Sequence, residues 1–160
     1  MIYLFMLCAH AEEVSFSGTL GANINDVTLS ADLSKVAFIG ANSSYVLATD
    51  TWEVSEVTAC GALSMGGGVY LDEKLFIGCD DGTISSYADG TVTQNVFTLE
   101  GDSVLGLWSK DEFLYALAEH DDGGNPRVHA VNTTTKEESG GNFPSTLGYS
   151  GYTDAEIVAN

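Results

Sequence analysis

The feature that most constrains this chain is a phrase of about forty residues that occurs three times. The segment SKVAFIGANSSYVLATDTWEVSEV, which begins at Ser34, aligns with DEKLFIGCDDGTISSYADGTVTQNVFTL and with DEFLYALAEHDDGGNPRVHAVNTTTKEES. In this alignment Phe38 matches Phe76 and then Tyr115, at spacings of 38 and 39 residues. Such self-similarity indicates a repeat architecture, in which neighbouring units cover one another's apolar faces.

Each copy of the phrase has the pattern of β-strands joined by tight turns. Short runs rich in Val, Ile, Thr, Tyr and Phe alternate with clusters of Gly, Asn and Asp, such as residues 66–68, 80–82 and 121–124. Those clusters supply the positive φ angles and Asx turns that hairpins need, and no segment has clean helical periodicity. One further apolar segment precedes each copy, which makes four strands per repeat of about forty residues. The sequence therefore predicts an all-β fold, a β-propeller segment built from four-stranded antiparallel blades.

The predicted propeller-like domain covers residues 12–160 and is a single unit. Its blades are expected at residues 24–60, 61–100 and 101–148, with a partial blade at residues 149–160. A closed propeller needs at least about four blades, so we expect an incomplete, truncated ring that is a piece of a longer protein. The alternative is that residues 14–20 pair with the C-terminal segment and complete a blade. An open arc leaves an unpaired blade edge and an uncovered blade face, through which the chain could associate.

The turn residues carry a resemblance to known propeller repeats. The segment SKVAFIGANSSYVLATDTWEVSEVTACG resembles the YVTN repeat, with Ala41-Asn42, Asp50-Thr51 and Gly61 at that family's turn positions. The segment CDDGTISSYADG is similar to the middle of a WD-type repeat, although Ala88 stands where that family has Asp and no Gly-His dipeptide occurs. The chain therefore resembles the broader YVTN, WD-like and quinoprotein-like grouping. This resemblance implies partners bound at the loop face or the central channel.

The charge balance argues against two classes of partner. The chain has 23 acidic and 5 basic residues, for a formal net charge of −18. The basic residues are scattered, whereas binding to phosphates needs clustered Lys and Arg, so no nucleic-acid partner is expected. An anionic membrane surface would repel such a chain. Proteins or glycans remain as the expected partners.

Residues 1–11 resemble a secretory signal peptide that is truncated at its start. An apolar run at residues 2–8 precedes Ala9-His10-Ala11, a pattern of small residues next to two Glu. The run is too short to span a bilayer, so the mature chain is expected to have no transmembrane segment and to be extracytoplasmic, secreted or on the cell surface. The alternative is an ordinary buried strand. Cleavage after Ala11 would leave Cys60 and Cys79, as a disulfide or as two free thiols.

The acidic turn around residues 119–127 is the strongest candidate for a metal site. Glu119, Asp121 and Asp122 place oxygen ligands in one flexible loop, which suits Ca²⁺ better than a transition metal. The alternative is a solvated hairpin turn. No other cofactor is indicated by the residues.

The sequence contains no recognisable catalytic motif. Neither a Gly-x-Ser-x-Gly elbow nor a phosphate-binding Gly-rich loop is present. His129 lies in a strand and is interpreted as structural. Trp52, Trp108, Tyr70 and the other tyrosines are interpreted as filling between blades rather than as a binding platform.

These observations predict an exported, non-enzymatic β-propeller module that binds or scaffolds a protein or ligand. Two alternatives follow from the resemblance. One is part of a propeller enzyme, similar to a quinoprotein dehydrogenase or to a hydrolase or lyase, with a cofactor or metal on the axis. The other is a structural repeat of a surface layer or an adhesion protein.

Overall fold

The computed structural model describes residues 23–41, 43–60, 67–99, 102–120 and 126–142. These residues form strands and turns only, arranged in three four-stranded antiparallel sheets. Within them, no helix has the length and apolar character needed to cross a membrane. The expected signal segment, the strand at 14–20 and the partial blade at 149–160 all lie outside the described residues.

Each sheet is one blade, and its four strands pair in the order in which they occur along the chain. Blade 1 consists of β1 (Ile24–Leu29), β2 (Lys35–Gly40), β3 (Ser44–Ala48) and β4 (Val54–Val57). Blade 2 consists of β5 (Gly68–Leu71), β6 (Lys74–Gly78), β7 (Thr83–Ala88) and β8 (Thr91–Thr98). Blade 3 consists of β9 (Asp102–Lys110), β10 (Phe113–His120), β11 (Arg127–Asn132) and β12 (Glu138–Asn142). The first strands β1, β5 and β9 contact one another in turn, so the blades fan out from a common edge.

Tight turns explain why the strands pair in sequence order. Asp89 and Gly90 connect β7 to β8 with φ angles of 49° and 76°, as a two-residue type I′ hairpin requires. Asp72 and Asp111 begin the equivalent turns of blades 2 and 3 at φ values of 54° and 52°. Aspartate tolerates this left-handed region because its short side chain bonds to nearby backbone groups.

The core lies between the blades, in two layers. Layer 1–2 joins blade 1 to blade 2 through the buried side chains of Ala37, Ile39, Val46, Val57, Tyr70, Leu75 and Ile77. Layer 2–3 joins blade 2 to blade 3 through those of Phe76, Ile84, Phe97, Val104, Leu107, Leu114, Ala116 and Val131. The blades approach so closely that a Cβ added to Gly68 would stand 2.6 Å from Ile39 Cδ1. This position therefore requires glycine.

The structure corrects one detail of the repeat alignment. β2, β6 and β10 begin at Lys35, Lys74 and Phe113, so the structural spacing is 39 residues at both steps. Phe76 faces blade 3, whereas Phe38 pairs with Val27 on the side of blade 1 that is turned away from blade 2. The alignment of Phe38 with Phe76 is thus wrong by one residue.

The physical reason is the length of the strands. β2 has six residues and β6 has five, so the shared Phe-Ile-Gly stands one place later in β2. A shift of one residue in a strand moves each side chain to the opposite face of the sheet.

Candidate functional site

The predicted calcium loop is only partly described by the structure. Glu119 is exposed near the end of β10, where its backbone pairs with Ser103. Asp121 and Asp122 lie outside the described residues, so the calcium site stays a prediction. Among the residues that the structure does describe, no group of three or more His, Cys, Asp or Glu side chains is placed to hold a metal ion.

The structure instead assembles a polar cluster around the buried carboxylate of Asp102. This side chain has no solvent exposure. Its Oδ1 lies 2.6 Å from His120 Nδ1, and its Oδ2 lies 2.7 Å from His129 Nε2. The Arg127 guanidinium stands 3.5 Å from Oδ1. We call these four residues together with Glu138 the Asp102 cluster.

The strand register of blade 3 brings this cluster together. Asp102, the first residue of β9, is paired with His120, the last residue of β10. His129 of β11 is paired with Gly140 of β12, whose missing side chain leaves room for the imidazole. A Cβ at Gly140 would stand 3.3 Å from His129 Nδ1. All four strands therefore supply or accommodate a member of the cluster.

His129 bridges two carboxylates. Its Nε2 faces Asp102, and its Nδ1 lies 2.7 Å from Glu138 Oε1. A neutral imidazole carries one N–H, and only the imidazolium donates from both nitrogens. With both carboxylates ionised, the geometry therefore calls for a protonated His129. The cluster then balances buried negative charge with positive charge inside a strongly acidic chain.

The surroundings of Asp102 shift its pKa below the ordinary value. Burial by itself acts in the opposite direction and raises the pKa. Hydrogen bonds from His120 and His129, together with the positive charge of Arg127, outweigh that effect. The Asp102 carboxylate is consequently held in its ionised form with its two oxygens occupied. Such an arrangement stabilises the blade, since a buried charge without partners is very costly.

A cleft at the opposite end of layer 2–3 is the more accessible feature. It has a volume of about 330 Å³ and lies between blade 2 and the β11–β12 turn of blade 3. Leu71, Phe76 and Val96 form its apolar part. Charged side chains of both signs line the cleft as well: Asp72, Glu73, Lys74, Asp89 and Lys136. We call it the blade 2–3 cleft.

Lys136 shows how this cleft is bounded on the side of blade 3. Its Nζ lies 4.3 Å from the centroid of the Phe97 ring, in a cation–π contact with blade 2. Lys136 also has a positive φ of 64° in the β11–β12 turn. A charged side chain is thus held across the boundary between the two blades.

Layer 1–2 differs from layer 2–3 in its polar features. A disulfide joins Cys60, just after β4, to Cys79, just after β6. Tyr70 packs between the blades, as its interpretation as an inter-blade residue predicts, and among the described residues its buried hydroxyl has no hydrogen-bond partner. Burial, with the nearby Tyr87 and Asp32, raises the pKa of Tyr70 to about 12.

Sequence reasoning did not identify the Asp102 cluster. It took His129 as a structural residue, did not consider Asp102, and linked His120 with the acidic loop. One signal was available: two of the chain's three histidines occur within ten residues of each other, on either side of one predicted turn. Residues on either side of a hairpin turn lie close together, so a shared partner was a reasonable expectation.

Comparison with known proteins supports the fold. No protein-family model matches the chain, and no curated protein matches it in sequence. Thirty-eight chains of solved structures do match it. U3-55K is similar with a TM-score of 0.57 and 14% identity over 74% of this chain and 36% of that one. The hydrazine synthase of Kuenenia stuttgartiensis is similar with a TM-score of 0.60 and 14% identity over 73% of this chain and 37% of that one.

These similar structures are of the WD40 and β-propeller type. The fold is an incomplete β-propeller. At this level of identity the likeness concerns the fold alone, and the chain spans little more than a third of each protein's length. The two proteins also differ in kind, and a shared fold does not transfer a function.

Proposed function

We propose that this chain is an exported β-propeller module of the YVTN, WD-like and quinoprotein-like grouping, and that it binds another protein without catalysing a reaction. Propeller-type similar structures and the three stacked blades support a scaffold for protein interaction. In such a scaffold the strands hold the frame, and turns and loops present the recognition surface.

The observation that carries this proposal is the blade 2–3 cleft. Its volume of about 330 Å³ falls at the small end of the range for ligand sites. The apolar part accepts an aliphatic or aromatic side chain, and the surrounding Asp72, Glu73, Asp89, Lys74 and Lys136 fix its orientation. We infer that the partner inserts one apolar residue flanked by charged residues, as a loop or an extended segment.

The competing enzyme proposal is less well supported by the described residues. A site on the propeller axis draws polar side chains from several blades, whereas the Asp102 cluster belongs to blade 3 alone. Its carboxylate oxygens are already engaged by His120, His129 and Arg127. The cluster is therefore better suited to holding strands together than to receiving a substrate.

Two features support export. The Cys60–Cys79 disulfide is typical of proteins that fold in an oxidising compartment. Residues 1–11 resemble a signal peptide. Placement on the cell surface or in the medium also suits a chain whose net charge of −18 favours solubility.

The test is selection of peptides from a random display library against the folded chain. Selected peptides should carry an apolar residue next to charged ones, and Lys74→Glu should weaken their binding by about tenfold because Lys74 lines the cleft. Lys35→Glu is the matched control, since Lys35 opens β2 as Lys74 opens β6 but lies outside the cleft. Equal binding to the two variants would show that the cleft is not the binding site.

A further inference from the structure

The exposed apolar surface of this protein is concentrated on blade 1. Among the described residues, every large apolar side chain classed as exposed belongs to this blade or to its turns: Ile24, Val27, Leu29, Leu33, Trp52 and Val54. Leu29 and Val54 are 54% and 47% exposed although each lies in a strand. Blades 2 and 3 have no comparable residue in the described ranges. A contiguous apolar patch of this kind marks an interaction surface.

The same positions in the other blades show what this face is shaped to contact. With the spacing of 39 residues, Phe38 of blade 1 corresponds to Ile77 of blade 2 and to Ala116 of blade 3. Ile77 and Ala116 are completely buried because each faces the preceding blade. Phe38 is only partly buried, beside the exposed Val27 with which it pairs. The outer face of blade 1 is thus an inter-blade surface without its blade.

The opposite end of the stack offers a suitable partner surface. Trp108, Phe113 and Tyr115 lie on the face of blade 3 that is turned away from blade 2, and all three are partly exposed. The rings of Phe113 and Tyr115 are 6.3 Å apart and form one aromatic surface. Tyr115 corresponds to Phe76, the residue through which blade 2 packs against blade 3.

We propose that the outer face of blade 1 is an interface for a second copy of this chain, whose blade 3 packs on it as blade 2 packs on blade 3 within one chain. The contact is heterologous, and it closes when each copy presents its blade 1 to the blade 3 of the other. Two chains then form one ring around a two-fold axis. Two sets of three described blades make six, which lies within the usual range of about four to eight blades.

The first measurement is the molar mass of the folded 160-residue chain by light scattering and sedimentation over a range of concentrations. The expected value is twice 16.9 kDa. Val54→Asp should raise the apparent dissociation constant by about a hundredfold, because it buries an unpaired charge in both interfaces. Ser55→Asp is the matched control, since Ser55 is the adjacent exposed residue of β4 on the opposite face. A wild-type chain that is monomeric at all concentrations, or a Val54→Asp chain as dimeric as Ser55→Asp, overturns the proposal.

A mixing experiment distinguishes this arrangement from two blade 1 faces that pair with each other. Tyr115→Asp alone should also give monomers, with circular dichroism confirming that both variants are folded. When Val54→Asp and Tyr115→Asp are mixed, one interface of the ring combines both changes and the other combines two intact faces. Mixed dimers should therefore form, at a level between the wild type and either variant. If Tyr115→Asp stays dimeric, or if mixing restores nothing, the partner surface is not blade 3 and the proposal fails.

Discussion

Layer 1–2 and layer 2–3 are built from the same repeat, yet they handle polar groups in opposite ways. Layer 1–2 holds a disulfide and one buried hydroxyl without a partner among the described residues. Layer 2–3 has the Asp102 cluster at one end, with the carboxylate engaged by three side chains, and an open cleft of mixed charge at the other end. The comparison teaches that the repeat specifies the apolar centre of a layer, whereas individual residues at its ends specify what else the layer does.

The largest expected effect comes from breaking the Asp102 cluster. Asp102→Asn removes the buried charge that His129, His120 and Arg127 contact, and we expect the free energy of unfolding to fall by about 3–5 kcal/mol. Asp26→Asn is the matched change in layer 1–2, where Asp26 Oδ2 accepts a hydrogen bond of 3.0 Å from the Gly68 backbone N–H. That change should cost about 1 kcal/mol or less. Urea unfolding measures both, and equal losses would contradict the special role of the cluster.

The second effect tests the covalent link of layer 1–2. Replacing both Cys60 and Cys79 by Ser removes a cross-link between residues 19 apart in sequence. The free energy of unfolding should fall by about 3 kcal/mol, because the unfolded chain gains conformational freedom. Thermal unfolding of the oxidised and reduced wild-type chain provides the comparison. If reduction changes nothing while the double substitution destabilises, packing of the two side chains rather than the bond is responsible.

The third prediction concerns acid. The pKa of Asp102 is lower in the folded chain than its ordinary value of 3.8, so the folded state binds this proton less readily than the unfolded state does. The contribution to stability is therefore complete above about pH 4 and is lost as the pH falls through the folded-state pKa. Urea unfolding from pH 7 to pH 3 should show the difference between wild type and Asp102→Asn shrinking below about pH 4. A difference that grows with acid would reverse the assigned direction.

The smallest effect concerns the buried hydroxyl of layer 1–2. Tyr70→Phe removes a polar group that pays a desolvation cost without a protein partner among the described residues. The free energy of unfolding should stay constant or rise by about 1 kcal/mol or less. Tyr87→Phe serves as the control because Tyr87 is only partly buried in the same layer. A clear loss of stability in Tyr70→Phe would indicate that the hydroxyl has a partner after all.

Part of the fold followed directly from sequence pattern. The repeat period, the strand alternation and the turn residues predicted three four-stranded antiparallel blades, and the structure confirms them. Asp72, Asp89 and Asp111 occupy left-handed positions in turns, as expected of residues that tolerate positive φ. These features are local, because a turn or a period depends on residues close together in the chain.

The candidate sites depended on contacts that the pattern does not contain. The Asp102 cluster joins residues of four strands, and a shift of one residue in any of them would turn its side chain to the other face. The same sensitivity made the alignment of Phe38 with Phe76 wrong by one residue. The blade 2–3 cleft exists only because two sheets meet at their ends with small and charged residues between them.

The sequence by itself therefore determined the class of fold, the blade as its unit and the places where the chain turns, since each depends on short-range periodicity. Tertiary structure alone decided that Cys60 reaches Cys79, that Asp102 is buried between two histidines, and that the apolar face of blade 1 is left bare. The physical reason is that burial and pairing depend on which faces of separate sheets come together. That geometry is settled by packing over the whole domain and not by any one segment.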